Sequence, residues 1–149
     1  MNLTSNYRIE RVAPDGTAAT TFTLAAGTTS VNSAAVDLLD FASVVFSAHI
    51  GAITGSGQVI FTVEGSANGS TGWTALTGAT TTVVGSANSN KIALIGVARP
   101  ASPYRYVRLV SARTVANVVL DAVTAFAGDG RLSAPTHPTA TVAASVYVA

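Results

Sequence analysis

The chain predicts an all-β fold, an antiparallel β-sandwich of jelly-roll-like kind with extended N- and C-terminal arms. Two observations carry that expectation. Apolar residues recur at every second position in several short segments, the period of a strand with one face buried. Those segments are separated by clusters of Gly, Ser, Asn and Pro, the residues that reverse a chain. A third observation agrees: Ala, Val, Thr, Ser and Gly make up much of the chain, and only 10% of its 149 residues are charged. That composition favours strands and turns over helices.

Residues 1–19 carry Arg8, Glu10, Arg11 and Asp15 and a Pro14-Asp15-Gly16 turn, so they read as an arm or edge element. The sandwich proper is expected over 20–130. Its first strand is 20–24, where Phe22 and Leu24 alternate with threonines. Residues 31–39 are short and ambiguous. The clearest strand is 41–50, with Ala42, Val44, Phe46, Ala48 and Ile50 on one side. Residues 58–64 place Val59, Phe61 and Val63 together, and the loop 65–72 follows, with Asn68-Gly69 as a strong reversal signal. Trp73, the sole tryptophan, opens the next strand and is expected to plug the core.

A threonine-rich strand is expected at 79–84 and a central one at 91–97, apolar on both faces. Pro100 and Pro103 interrupt before a strand at 104–111, in which Val107 and Leu109 share a face. In 116–126 a single face is expected to hold Ala116, Val118, Leu120, Ala122 and Phe126. The tail, 131–149, ends in an uncharged run of strand composition. Such a strand invites aggregation unless it pairs, so it is expected to add to a sheet in its own subunit or a neighbour.

The same totals bound the function. One domain of this length buries roughly 68–70% of its unfolded surface. Net charge is +1 and the only lysine is Lys91, so no sequence-independent nucleic-acid surface is expected. No window of 18 uninterrupted apolar residues marks a membrane span, and the N-terminus lacks the apolar core of a signal peptide. There is no cysteine for disulfides or thiolate metal sites. A hydrophobic fraction of 48% then has to be hidden in a core or an assembly interface, which predicts a homo-oligomer or larger assembly.

No constellation singles out an active site. Glu64 and Asp121 could oppose each other as an acid–base pair, but isolated carboxylates beside turns usually cap the backbone. His49 and His137 lack partners at ligand spacing, and no G-x-S-x-G places a serine on a nucleophile elbow. Asp37 and Asp40 could offer oxygens to calcium, with a solvated turn the simpler reading. Two Asn-x-Ser/Thr matches, at Asn2 and Asn68, are ascribed to chance. Trp73, Tyr104 and Tyr106 could form a sugar-stacking platform, which gives a second reading as a lectin-like, carbohydrate-binding sandwich. The expectation is therefore a non-enzymatic chain with no cofactor and no metal.

Two segments carry a family resemblance. Residues 64–76, EGSANGSTGWTAL, and 104–110, YRYVRLV, are similar to the paired S-x-D-G-x-x-W and R-Y-V-R-L motifs of discoidin-like β-sandwiches. Asn68 stands where that pattern usually has aspartate. With Val36-Asp37-Leu38 and the run 41–46 leading to Gly51, the pairing resembles that of tailed-phage capsid decoration (cement) or head-associated proteins. The resemblance covers roughly 31–126. The absence of cysteine and of a signal peptide separates the chain from secreted discoidin domains and favours the virion comparison. It implies a structural protein on the capsid surface, made in the host cytoplasm. The implied partners are the major capsid protein and further copies of itself, a trimer being one such order. Arg8 and Arg11 in the N-terminal arm and Tyr147 and Val148 in the tail are the expected partner-binding residues. Trp73, Tyr106 and Arg108 form the structural signature.

Overall fold

The computed structural model describes residues 7–12, 24–99, 104–128 and 137–148. Among these there are twelve strands, a single 3-10 turn at Ser86–Asn88 and no α-helix. In chain order they are β1 (Tyr7–Arg11), β2 (Leu24–Gly27), β3 (Val31–Asn32), β4 (Val36–Asp37), β5 (Ser43–Ile53) and β6 (Gln58–Ser66). There follow β7 (Thr74–Thr80), β8 (Val84–Gly85), β9 (Ile92–Ala98), β10 (Tyr106–Thr114), β11 (Val118–Gly128) and β12 (Val142–Val148).

The strands form two sheets packed face to face. Sheet I has the order β1-β11-β5-β9-β12, with β2 also on β11. Sheet II has the order β3-β10-β6-β7, with β4 on β10 and β8 on β6. Every pairing is antiparallel except β9 with β12. The expected sandwich is therefore present. Residues 7–11 and 142–148, read from sequence as parts of the arms, supply the two edge strands of sheet I. The expected strand at 20–24 falls outside the described residues up to position 23.

The jelly-roll character lies in one long two-stranded ribbon. β5 runs beside β11 in sheet I, and their continuations β6 and β10 run side by side in sheet II. The ribbon crosses from one sheet to the other at a corner made by residues 54–57 and 114–117. There the Thr54 N–H and hydroxyl both donate to the Asn117 carbonyl, each at 3.0 Å. Gly57 is held so close that a β-carbon would lie 3.0 Å from that same carbonyl and 2.9 Å from Ile53 Cγ2. The sharp reversal of β10 into β11 holds Val115 at φ 70°, a left-handed conformation that branched side chains disfavour.

Inward positions of both sheets make a single core. Phe46, flanked in sheet I by Ile95 and Ala125, is fully buried, as are Phe61, Val63 and Leu109 of sheet II. Alanines at 48, 93, 125 and 127 leave room beside the two phenylalanines, so large and small side chains interlock. Trp73 is not part of this core. It is half-buried and lies outside the cluster of buried apolar side chains, which corrects the expectation of a core plug.

The second correction concerns β11. Its pairing with β5 shifts register between Val118 and Leu120 and again between Leu120 and Ala122. The second shift leaves Asp121 as an extra residue and reverses the side-chain alternation. Val118 and Leu120 point inward, then Val123, Ala125 and Ala127 do, while Phe126 faces out and Ala122, beside the bulge, stays partly buried against the core. The single apolar face expected for 116–126 is thus divided between core and surface.

Candidate docking face

The two outer faces of the sandwich differ in chemistry. The outer face of sheet II carries Tyr106, Arg108 and Glu64 at one end and Val110, Ala112 and Ile60 further along, and its charged groups are engaged with one another. Arg108 and Glu64 face each other across β10 and β6, and the guanidinium donates from Nε and Nη2 to Glu64 Oε2 at 2.9 and 2.8 Å. The same guanidinium lies over the Trp73 ring, 4.3 Å from its centroid. This cation–π contact draws the half-buried tryptophan onto the sheet rather than into it.

Tyr106 sits two residues away on that face. Arg105 lies over its ring at 5.0 Å, and a β-carbon on Gly69 would come within 2.9 Å of the ring atoms. Tyr104 packs in the same way against Gly65. The loop above them is organised by Asn68. Its Oδ1 accepts from the N–H groups of Ser70 and Thr71 at 3.0 and 2.9 Å, and its Nδ2 donates to Thr71 Oγ1. Trp73, Tyr106 and Arg108 are therefore brought together as a structural unit.

At the β4 edge Arg105 donates to both oxygens of Asp37, at 2.8 and 2.6 Å. This paired guanidinium holds the Asp37 carboxyl below the usual carboxylate range, aided by the Leu39 N–H and opposed by partial burial. Its own pKa is raised by the same contact. Asp37 is thus engaged by an arginine and a backbone amide, and no group of three His, Cys, Asp or Glu stands at metal-holding distance among the described residues.

Sheet I differs. The registers place Ile9, Phe126, Val45, Gly96 and Tyr147 side by side, one from each of five strands, on its outer face. The next row reads Arg11, Thr124, Ser47, Leu94 and Ser145. Ile9 is 65% exposed and Phe126 40%, and the other large exposed apolar residues, Leu39, Val83 and Val115, lie outside strands. Arg11 is exposed beside this apolar row. At the opposite edge Tyr147 meets His137, its hydroxyl 2.5 Å from Nε2 and the rings stacked at 6.0 Å. Burial raises the Tyr147 pKa.

The four expected partner-binding residues are consequently separated. Arg11 and Tyr147 lie on the outer face of sheet I, at its two edges. Arg8 is turned towards the sandwich: it donates to the Asp37 carbonyl at 2.7 Å, reaches Glu10 at 3.4 Å and lies over Phe41. It ties β1 to β4 of the other sheet. Val148 pairs with inward-facing Val97 and packs against the core. Sequence reasoning did not single out Ile9 and Phe126 for this face. Ile9 carries a weak signal, an isoleucine alternating with charges, whereas Phe126 was hidden by the bulge.

Buried Arg113, also absent from the sequence reading, is 4% exposed and donates to the carbonyls of Thr29 at 2.8 Å and Val118 at 2.9 Å. It joins the β2–β3 turn to the corner, and desolvation lowers its pKa. No protein-family model matches the chain, and a search of curated proteins finds no relative.

Proposed function

We propose that the chain is a non-enzymatic structural protein of a virion, a capsid decoration or cement protein, which docks on the major capsid protein through the outer face of sheet I. The observation that supports this most directly is the row from Ile9 and Phe126 through Val45 to Tyr147, in which Ile9 and Phe126 are the large apolar side chains that strands expose among the described residues. Apolar area removed from water contributes roughly 25 cal/mol per Å², and a row crossing five strands provides a broad, flat contact of that kind. The resemblance of 64–76 and 104–110 to head-associated sandwiches points the same way.

The test is cosedimentation of the purified protein with undecorated shells of the virus that carries its gene. Saturable binding is expected, and Leu94→Lys, on the outer face and remote from β1, should abolish it while leaving the fold intact. A protein that stays in the supernatant with intact shells overturns the reading.

The carbohydrate-binding alternative gains one point from the structure, since Trp73 is outside the core. Against it, the Trp73, Tyr104 and Tyr106 rings are each covered on one side by Arg108, Gly65, or Arg105 with Gly69. Binding in a glycan array that is lost in Trp73→Ala would support it over shell docking.

A further inference from the structure

Among the described residues β1 pairs with β11 alone, so its other edge faces outward from sheet I. One hydrogen bond shows which backbone groups lie on that edge. The Val12 N–H donates to the Val123 carbonyl, the residue opposite it in the register. Backbone groups alternate sides along a strand, so Arg8 and Glu10 also turn theirs towards β11. Those of Ile9 then point away from the sheet.

The sequence of β1, Tyr-Arg-Ile-Glu-Arg, is self-complementary about its middle residue. We infer that β1 is a homodimerisation edge, which pairs antiparallel with β1 of a second copy about a two-fold axis at Ile9. This rests on the reading of the chain as an assembly part, and names a partner for that part: a second copy of itself.

Three symmetric registers are available to so short a strand, and charge distinguishes them. Centred on Arg8, the pairing sets two guanidinium groups side by side. Centred on Glu10, it sets two carboxylates side by side. Like charges directly opposite each other are destabilising. Centred on Ile9, it places Arg8 opposite Glu10 of the second copy and Glu10 opposite its Arg8.

Within one copy Arg8 and Glu10 already approach to 3.4 Å, with side chains 37% and 36% exposed. The dimer would close them into an alternating ring of four charges. The same register uses the outward N–H and C=O of Ile9 for two reciprocal hydrogen bonds at the axis. On the outer face it continues the apolar row as Phe126, Ile9, Ile9 of the second copy and Phe126 of the second copy. The most exposed strand-borne apolar side chain among the described residues would thus be covered.

The chain has no cysteine, so one introduced thiol reports the register directly. Opposed residues of a hydrogen-bonded antiparallel pair have Cα atoms about 5.5 Å apart, within disulfide reach. Ile9→Cys is therefore expected to cross-link under mild oxidation into a species of twice the monomer mass. Tyr7→Cys is not, because the two Tyr7 positions would be offset by about 13 Å along the strands, beyond disulfide reach.

Ile9→Pro removes the outward donor and the exposed isoleucine side chain, and keeps the groups of Arg8 and Glu10 that face β11. It should lower the sedimenting mass from dimer to monomer across a dilution series, with the circular dichroism spectrum and thermal midpoint retained. Equal cross-linking of both cysteine variants, a wild type monomeric at every concentration, or an Ile9→Pro variant that remains dimeric would overturn the inference. These measurements need no shell. Cross-linking without shell binding would leave the dimer standing and remove the proposed function, and the converse result would do the opposite.

Discussion

The carboxylate of Asp121 lies over the backbone of Gly51, where a β-carbon would meet Oδ1 at 2.8 Å. The pair marks the bulge at which β5 and β11 change register, and beyond it Phe126 faces outward. A side chain at position 51 has to displace both Asp121 and Val119 Cγ1, the latter at 2.9 Å. Gly51→Val is expected to lose about 1–3 kcal/mol, the usual penalty for overpacking. Gly51→Ala should lose less, since the end of Asp121 can swing away. Urea unfolding of the two variants measures the difference.

Trp73 supplies a second prediction because it is a surface clamp. Trp73→Ala removes a cation–π contact of about 0.5–1 kcal/mol together with part of its packing. The protein should still fold, with a total loss of about 1–2 kcal/mol, the ordinary range for a substitution outside the core. Phe61→Ala, in the core, is expected to cost about 3–5 kcal/mol. Thermal melts that show Trp73→Ala as damaging as Phe61→Ala would contradict the clamp.

The loop at 66–72 depends on an acceptor at position 68. Asn68→Asp retains the oxygen that receives the Ser70 and Thr71 amides and loses only the donor to Thr71 Oγ1. It should alter stability by less than about 0.5 kcal/mol, whereas Asn68→Ala, which leaves those amides without their acceptor, should cost about 1 kcal/mol. Chemical denaturation distinguishes the two substitutions.

The Asp37–Arg105 pair makes stability depend on acid. Because the folded-state pKa of Asp37 lies below its unfolded value, the contribution is fully present above about pH 4. It is lost as pH falls through the folded pKa. Asp37→Asn should therefore flatten the stability profile on the acid side and leave its shape near neutrality unchanged, as followed by thermal melts from neutral to acidic pH. Both groups are partly exposed, so added salt should weaken the effect.

Tyr147 acts at the other end of the scale. Burial raises its folded pKa, so the neutral hydroxyl is favoured in the fold and stability declines as pH rises above about 10. Tyr147→Phe should remove that alkaline dependence. Hydrogen exchange in β12 as pH rises provides a local readout.

Much of the fold is legible in the sequence because burial enforces strict alternation in β5, β6 and β10. Val44, Phe46 and Ala48, or Val59, Phe61 and Val63, leave little freedom in choosing the inward side. β11 is less legible because one added residue, Asp121, inverts the alternation without any change in composition. Trp73 misleads for another reason: its size suggests the core, yet Arg108 across the sheet offers its ring a partner outside. The outer row of sheet I is invisible as a sequence feature, since Ile9, Phe126, Val45 and Tyr147 become neighbours only through cross-strand register. The outward placing of Arg11 and Tyr147 and the inward turn of Arg8 and Val148 follow from pairing with Thr124, Gly96, Ala127 and Val97, which the sequence does not display.

The ribbon that crosses the corner also governs how the chain reaches its fold. Thr54 meets Asn117 across 63 positions of sequence, and Ser43 donates to the Gly128 carbonyl across 85. Large loops must close before either contact contributes, and nearby hairpins cannot substitute for them. Folding is expected in milliseconds to seconds rather than microseconds. Until the ribbon closes, the apolar faces of β5 and β11 are uncovered, and the protein is then most exposed to aggregation.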